Sequence, residues 1–115
     1  MSSPSARSKA YMAKQGYIVG TVERYCSFTR RRHDLFGFLD LVAIRGPDLV
    51  GIQTTSGSNL AARIAKAKAL DTFAKWLQVG RVEFHGWRKV GPRGKRKTWQ
   101  VRVVYFDKET EASGG

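Results

Sequence analysis

The chain has 115 residues, enough for one domain with its own core but not for two. A hydrophobic content of 42% with 11% aromatic residues excludes a disordered chain. Its 21 Lys and Arg residues against 9 Asp and Glu residues give a formal net charge of +12. Such an excess is normally matched by a polyanion, so composition favours nucleic acid as the partner, with an anionic membrane surface as the alternative.

Two further classes of protein are excluded by the sequence pattern. No apolar run approaches the roughly 20 residues that a membrane-spanning helix needs. The polar N-terminal segment lacks the apolar region of a signal peptide, which predicts a cytoplasmic protein. Cys26 is the only cysteine, so an internal disulfide and a cysteine-based metal site are impossible, and a reducing compartment is favoured.

The N-terminal part is predicted to form a short helix and a first strand. Helix-favouring residues run from Ala6 to Gln15, and Gly16 is a typical helix stop. The residues expected to face inward on this helix are Ala10 and Ala13, with Tyr11 and Met12 beside them. Tyr17 to Tyr25 is rich in β-formers and is predicted to be one strand.

Residues 26–34 are predicted to form a loop with three consecutive arginines. A guanidinium group can fork onto two phosphate oxygens, so Arg30, Arg31 and Arg32 are candidate nucleic-acid contacts. A solvated run of charge is the alternative interpretation. Glu23, near the end of the first strand, is equally well interpreted as a surface residue paired with Arg24 or Arg30.

The most informative stretch is an apolar hairpin that carries polar residues. Residues 38–44 and 49–56 are predicted to be strands, joined by a Gly-Pro turn. Asp40 lies among apolar residues of the first of these strands, and a buried carboxylate is costly unless it is paired, hydrogen-bonded or metal-bound. Gln53 and Thr55 are two residues apart on the next strand and therefore share one face. An acid facing two polar side chains is the minimal arrangement of a divalent-metal site.

The second half is predicted to form one long helix and two strands. Apolar residues recur at three- and four-residue steps from Leu60 to Val79, which predicts a helix that Gly80 ends. Its basic flanks include Lys66, Lys68 and Arg63, of which Arg63 is a candidate nucleic-acid contact. Residues 81–89 and 98–106 alternate as strands. The glycine-rich connection between them is predicted to be a nucleic-acid-binding arm rather than a solubilising loop, with the basic residues Arg88, Lys89, Arg93, Lys95, Arg96 and Lys97.

The order of these elements predicts a single α/β domain at residues 1–106, with a mixed sheet of about five strands flanked by two helices. Residues 107–115 are predicted to be a disordered acidic tail. Asp40-Leu41-Val42-Ala43 followed by Ile52-Gln53-Thr54-Thr55 resembles the PD-(D/E)XK nuclease superfamily, in particular archaeal-type and phage Holliday junction resolvases. The resemblance spans the chain from the first helix to the end of the second and implies a restriction-endonuclease-like core.

The resemblance also implies a metal site. In that superfamily one acid on each of two strands binds Mg²⁺ or Mn²⁺ together with an intervening backbone carbonyl, and a lysine orients the nucleophile. By position, Asp40 takes the first acid, Gln53 the second and Thr55 the lysine, and the carbonyl belongs to Thr54. A glutamine can still ligate through its amide oxygen. Threonine removes the cation, so Lys66 or Lys68 is the expected substitute.

Two further acids are candidates for the same site, because the first helix lacks the glutamate that such resolvases often carry there. If the chain before Phe38 is an open loop, Glu23 and Asp34 approach Asp40. If a strand begins directly after Asp34, that residue lies about 20 Å from Asp40 and cannot share a metal. Gly37 between two phenylalanines indicates a bulge or bend, which favours partial approach.

Three functional hypotheses follow. The first is a Mg²⁺-dependent DNA endonuclease, structure-selective for branched DNA and homodimeric as junction resolvases are, in a bacterial or archaeal cell and with a hint of phage origin. The second is a DNA-binding protein of nuclease fold without catalysis, which the missing lysine favours. The third is a basic RNA-binding module in which Asp40 pairs with an arginine. Metal binding separates the first from the others, whereas salt dependence does not.

Overall fold

A computed structural model describes residues 3–94 and 96–108, without the side chain of Arg32. It has an α/β fold with three helices, a five-stranded mixed sheet and a separate two-stranded hairpin. In chain order the elements are α1 (Pro4–Lys14), β1 (Ile18–Thr21), β2 (Arg24–Cys26), β3 (Arg31–His33), β4 (Leu41–Arg45), β5 (Asp48–Ser56), α2 (Leu60–Lys68), α3 (Asp71–Leu77), β6 (Arg81–Val90) and β7 (Thr98–Phe106).

The main sheet has the strand order β1-β4-β5-β6-β7, in which only the pair β5 and β6 is parallel. A parallel pair requires a crossover connection, and α2 with α3 supplies it. β2 and β3 pair only with each other and form a hairpin between β1 and β4. The predicted mixed sheet of five strands is confirmed.

The helices cover both faces of this sheet. On one face, α1 packs through Met12 against a cluster that includes Leu41 and Ile52. On the other face, α2 and α3 pack against a cluster that includes Phe38 and Phe84. Both faces are therefore buried, as expected for a sheet with a parallel crossover.

The prediction of two helices is wrong, because the single helix expected from Leu60 to Val79 is broken. Leu70 has an extended backbone with φ −88° and ψ 138°, and α3 begins directly after it. The apolar period continues across the break, so the pattern alone could not show it. The change of direction lets Phe73 and Leu77 enter the core beside the sheet.

The first strand was also predicted wrongly. Residues 17–25 divide between β1, which pairs with β4, and β2, which leaves the sheet to pair with β3. The expected arginine loop is therefore a β-hairpin, with Arg30 in its turn at φ +55°.

The inward face of α1 also differs from the prediction. Ala10 and Ala13 are exposed and Ser8 is buried, whereas the predicted burial of Met12 is confirmed. Ser8 and Met12 lie four residues apart, so they follow one another on the side of α1 that meets the sheet.

Within the described ranges, no helix is long and apolar enough to cross a membrane. Residues 109–115 of the predicted tail lie outside the described residues.

Candidate metal centre

Three acidic side chains meet at one end of the sheet, next to the start of β4. Glu23, Asp34 and Asp40 each offer a carboxylate oxygen, and these atoms all lie within 4.8 Å of one another. Asp40 is only 6% exposed, and the other two are half-buried. Within the described part of the chain this is the only group of three or more acidic, His or Cys side chains with such spacing. Oxygen ligands of this kind are those that Mg²⁺ and Mn²⁺ prefer.

A tight turn brings Asp34 to the centre. Leu35 and Leu39 pair through two backbone hydrogen bonds, Leu35 N to Leu39 O at 2.9 Å and Leu39 N to Leu35 O at 3.0 Å. The turn between them holds Phe36 at φ +57° and Gly37 at φ +88°. The chain therefore folds back on itself before it reaches β4. The predicted bend at Gly37 is confirmed, and the alternative of a straight strand from Leu35 is wrong.

Glu23 reaches the centre through the backbone of Asp40. The amides of Val22 and Glu23 both donate to the carbonyl oxygen of Asp40, at 2.9 and 3.3 Å. The β2–β3 hairpin begins after Glu23 and ends before Asp34. Its two ends therefore each supply one carboxylate to the cluster.

An irregularity in the β4–β5 pairing sets the direction of the Asp40 side chain. Its amide donates to Ile52 O at 2.9 Å, although Ile52 is also the partner of Leu41 in the β4–β5 ladder. Two residues opposite one is the arrangement of a β-bulge, which redirects a side chain. Oδ2 of Asp40 accepts hydrogen bonds from the Thr54 amide at 2.8 Å and the Thr54 hydroxyl at 3.3 Å. Thr54 is thus at the centre as a donor, while metal binding by its carbonyl stays a prediction.

The environment of Asp40 opposes its negative charge. Burial is the largest influence and raises its pKa, the Thr54 amide lowers it, and Asp34 and Glu23 raise it further, so that the pKa moves from 3.8 to about 7. Close carboxylates favour the protonated form of one member, and a divalent cation removes that penalty. The cluster therefore favours either a shared proton or a cation at neutral pH.

Gln53 and Thr55 flank Thr54 on β5 and are buried, at 3% and 6% exposure. Side chains alternate along a strand, so both point to the face opposite the Thr54 hydroxyl that binds Asp40. Gln53 directly follows Ile52, the residue opposite Asp40, and its Oε1 atom has no hydrogen-bond partner among the described residues. A buried acceptor without a partner costs about 1–3 kcal/mol, which a ligand can recover. This orphaned oxygen is free to accept a ligand, while metal binding by Gln53 stays a prediction.

The structure does not bring Lys68 to the carboxylates. Its Nζ atom lies 5.0 Å from the ring centroid of Phe106. Phe106 belongs to β7, three strands away from β4 in the sheet. Lys66 and Arg63 are exposed elsewhere on α2. Of the two lysines proposed as substitutes, Lys66 is the one that remains a candidate.

A buried polar network on the α1 face was missed by the sequence analysis. His85 binds Ser8 Oγ through Nδ1 and Glu83 Oε1 through Nε2, both at 2.8 Å. Arg81 donates to Glu83 at 2.7 Å, and Trp87 donates to Ser8 Oγ at 2.8 Å. Burial raises the pKa of Glu83, but the hydrogen bonds and charges of His85 and Arg81 outweigh it and lower the pKa overall.

This network is structural. Its Ser-His-Glu order is that of a hydrolytic triad, but Ser8 and His85 are both 0% exposed, so no substrate can reach the hydroxyl. The alternating Glu-x-His-x-Trp pattern on β6 was the available signal, because it places three polar groups on one face of a buried strand. The network fastens α1 to the sheet.

Replacing Ser8 by alanine is expected to lower the free energy of unfolding by about 1–3 kcal/mol, because two buried ring nitrogens lose their partner. Chemical denaturation measures this loss. Exposed Lys9 on the same helix provides the control, and Lys9→Ala should change stability by less than about 0.5 kcal/mol. Equal stability of the two variants would contradict the anchoring role.

The predicted nucleic-acid contacts occupy two surfaces besides Arg63, which is exposed on α2. On the hairpin, Arg30 and Arg31 are exposed, and Phe28 in its turn is 98% exposed. At the end of β6 the exposed basic residues are Arg88 and Lys89, and on the arm that follows they are Arg93, Arg96 and Lys97. Lys95 and the side chain of Arg32 lie outside the described residues.

At the base of the arm, Trp99 is flanked by two cations. Arg7 Cζ lies 3.6 Å and Lys89 Nζ 5.3 Å from its ring centroid. Trp99 is 43% exposed, so the basic arm is attached to the fold beside an exposed aromatic ring. Cations over an aromatic face are stabilised by the ring quadrupole.

Comparisons with known proteins give no relative. No family model, no curated protein and no solved structure matches the chain.

Proposed function

We propose that the protein is a divalent-metal-dependent DNA endonuclease of the PD-(D/E)XK type. The observation that carries the proposal is the convergence of Glu23, Asp34 and Asp40 within 4.8 Å in a chain of net charge +12. A protein that binds a polyanion has no electrostatic reason to gather carboxylates, unless a cation joins them to the phosphate. A bound Mg²⁺ or Mn²⁺ supplies polarisation of a phosphate ester and a water molecule of lowered pKa.

The topology supports this assignment. Without the β2–β3 hairpin, the order of elements is one helix, three antiparallel strands, the helical crossover and two strands. This is the order that the resemblance implies for a restriction-endonuclease-like core. Asp40 precedes the second strand of the main sheet, and Gln53 lies on the third, as in the resembling motif. The hairpin is then an insertion whose ends add Glu23 and Asp34.

The residues of the chain have separate roles in this proposal. Asp40, Asp34 and Glu23 hold the cation, with the Oε1 atom of Gln53 as a neutral ligand. The Thr54 amide fixes the orientation of the Asp40 carboxylate. The exposed arginines of the hairpin and the arm bind the phosphate backbone. Branched DNA as the substrate and a homodimer as the active form belong to the proposal through the resemblance.

The test of the function is cleavage of a labelled four-way junction beside linear single- and double-stranded DNA, with Mg²⁺, Mn²⁺ or EDTA. Cleavage that requires the cation supports the nuclease, and the preferred substrate defines its class. Failure to cut any of these DNAs, with binding retained, would contradict it.

A second candidate is a DNA-binding protein of the same fold without catalysis. Thr55 in place of the motif lysine favours it, as does the position of Lys68 against Phe106. The RNA-binding alternative is less favoured, because among the described side chains Asp40 contacts Thr54 and lies beside two acids rather than an arginine.

The arm is expected to contribute affinity without sequence preference. Alanine at Arg93, Lys95, Arg96 and Lys97 should weaken binding to all DNA sequences equally and reduce the salt slope by roughly one for each phosphate that the arm no longer neutralises. Fluorescence anisotropy over a salt series measures both quantities. Lys75→Ala, on the exposed side of α3, is the control for loss of a positive charge. Unchanged affinity in the arm variant would remove the arm from the interface.

A further inference from the structure

We infer that a cleft between the start of α2 and the β6–β7 pair binds a phosphodiester group of the nucleic-acid backbone. The cleft has a volume of about 550 Å³. Its polar and aromatic walls are formed by Ser56, Ser58, Trp87, Arg88, Gln100 and Arg102. The inference rests on the proposed function in that nucleic acid is the partner, and it assigns a defined phosphate site that joins Arg88 to Arg102, apart from the carboxylates and the basic arm.

A glycine on β6 lets the turn before α2 approach the strand closely. A Cβ atom on Gly86 would lie 3.3 Å from Gly57 Cα and 3.1 Å from Leu60 Cδ2, closer than side chains normally approach. Gly86 thus lets the turn at Gly57 sit directly on β6. The turn forms one wall of the cleft, and the exposed ends of β6 and β7 form the other.

The register places two arginines on the opposite wall. Gly86 pairs with Arg102, and Arg88 pairs with Gln100. Arg88 and Gly86 are two residues apart, so Arg88, Arg102 and Gln100 lie on one face of the strand pair. All three side chains are exposed, so each can turn toward a ligand.

The chemistry of the lining selects an anion. It contains two guanidinium groups, one carboxamide and two hydroxyls but no carboxylate. Among the described residues, neither Arg88 nor Arg102 forms an ion pair, although Arg45 and Arg81 both do. Guanidinium groups donate in pairs to phosphate oxygens, and the serine and glutamine side chains can donate to those that remain.

The position of the cleft favours a backbone phosphate over a free one. β5 and β6 are parallel, so their C-terminal ends lie at the same end of the sheet. β4 is antiparallel to β5, so Asp40, directly before β4, lies at that end too. Ser56, in the cleft, follows Thr54, at the carboxylates, by two residues, or roughly 7 Å of strand. A single polynucleotide strand can therefore contact both places at once, which a separate phosphate ion cannot.

The experiment measures binding of labelled duplex and four-way-junction DNA by anisotropy in EDTA, with the Asp40→Asn background so that no cutting occurs. Arg102→Gln and Arg88→Gln should each weaken binding about tenfold and lower the salt slope by about one. Lys75→Gln removes one positive charge outside the cleft and should change affinity less than about twofold. Thermal melting checks that each variant is folded.

Affinities of the two arginine variants equal to that of Lys75→Gln would overturn the inference. Because EDTA is present throughout, weaker binding by Arg102→Gln supports the cleft even if the unmodified protein cuts no DNA, so the two proposals fail separately. Inorganic phosphate is titrated into ¹⁵N-labelled protein as a second probe. Weak, unsaturated shifts at the cleft are expected, whereas saturation below about a millimolar would indicate a free-phosphate site and overturn the assignment to a backbone.

Discussion

Asp40→Asn is expected to abolish metal-dependent DNA cleavage while DNA binding is retained. Asparagine has the same shape as aspartate and keeps an oxygen that can accept the hydrogen bond from the Thr54 amide. In the unmodified protein this amide lies 2.8 Å from Oδ2, so the bulge before β4 should persist in the variant. The substitution removes the central negative charge of the three-acid cluster. A metal contributes several kcal/mol to a phosphate transition state, so the rate should fall roughly a thousandfold or more.

A matched control separates this effect from loss of charge in general. Asp48, at the β4–β5 turn, has a side chain 50% exposed and pairs with Arg45. Asp48→Asn should cleave DNA at close to the unmodified rate. Initial rates at saturating Mg²⁺, together with anisotropy in EDTA, measure both properties. Cleavage by Asp40→Asn within a few-fold of the unmodified rate would show that the acid cluster is not the catalytic centre.

The same substitution is expected to stabilise the metal-free protein above pH 7. The pKa of Asp40 is about 7 in the folded state, compared with an ordinary value of 3.8. Between these two pH values the folded carboxyl keeps its proton, whereas the unfolded one releases it. The free energy of unfolding of the unmodified protein should therefore fall between about pH 4 and pH 7 and level off above. The free energy of unfolding lost over this pH range is roughly 4 kcal/mol. The Asp40→Asn variant keeps this stability, because its side chain does not titrate.

Chemical denaturation in EDTA at several pH values tests this expectation. The stability advantage of Asp40→Asn should grow from about pH 4 to pH 7, whereas Asp48→Asn should show no such trend. Added Mg²⁺ should narrow the difference by stabilising only proteins that retain Asp40. A variant less stable than the unmodified protein at pH 8 in EDTA would mean that the carboxylate is satisfied without a cation.

Much of the centre could be predicted because its signals are local. The Gly-Pro turn and the two apolar strands around it predicted the β4–β5 hairpin, and a carboxylate in such a strand identified Asp40. Gly37 between two phenylalanines indicated a bend. The tight fold-back that carries Asp34 to Asp40 also needs Phe36 at φ +57°, a conformation that its side chain does not predict.

Two of the remaining errors concern contacts between distant parts of the chain. The break at Leu70 leaves the apolar period intact, so only the packing of α3 against the sheet reveals it. Ser8 and His85 are 77 residues apart, and no spacing rule joins them. The departure of β2 from the sheet has a local origin, because pairing with the neighbouring β3 competes with pairing in the main sheet. Single-sequence patterns do not identify the partner of an element, and on the weakly amphipathic α1 they also misplaced Ala10 and Ala13.

The most direct test of the metal centre is calorimetric titration of Mn²⁺ into the metal-free protein near pH 7, with Asp40→Asn and Asp48→Asn in parallel. We expect saturable binding at one site in the unmodified protein and in Asp48→Asn, with release of a proton because the cation displaces it from the acid cluster. Asp40→Asn should show no saturable binding. Absence of binding in the unmodified protein, or equal binding in Asp40→Asn, would contradict the assignment of Glu23, Asp34 and Asp40 as a metal centre.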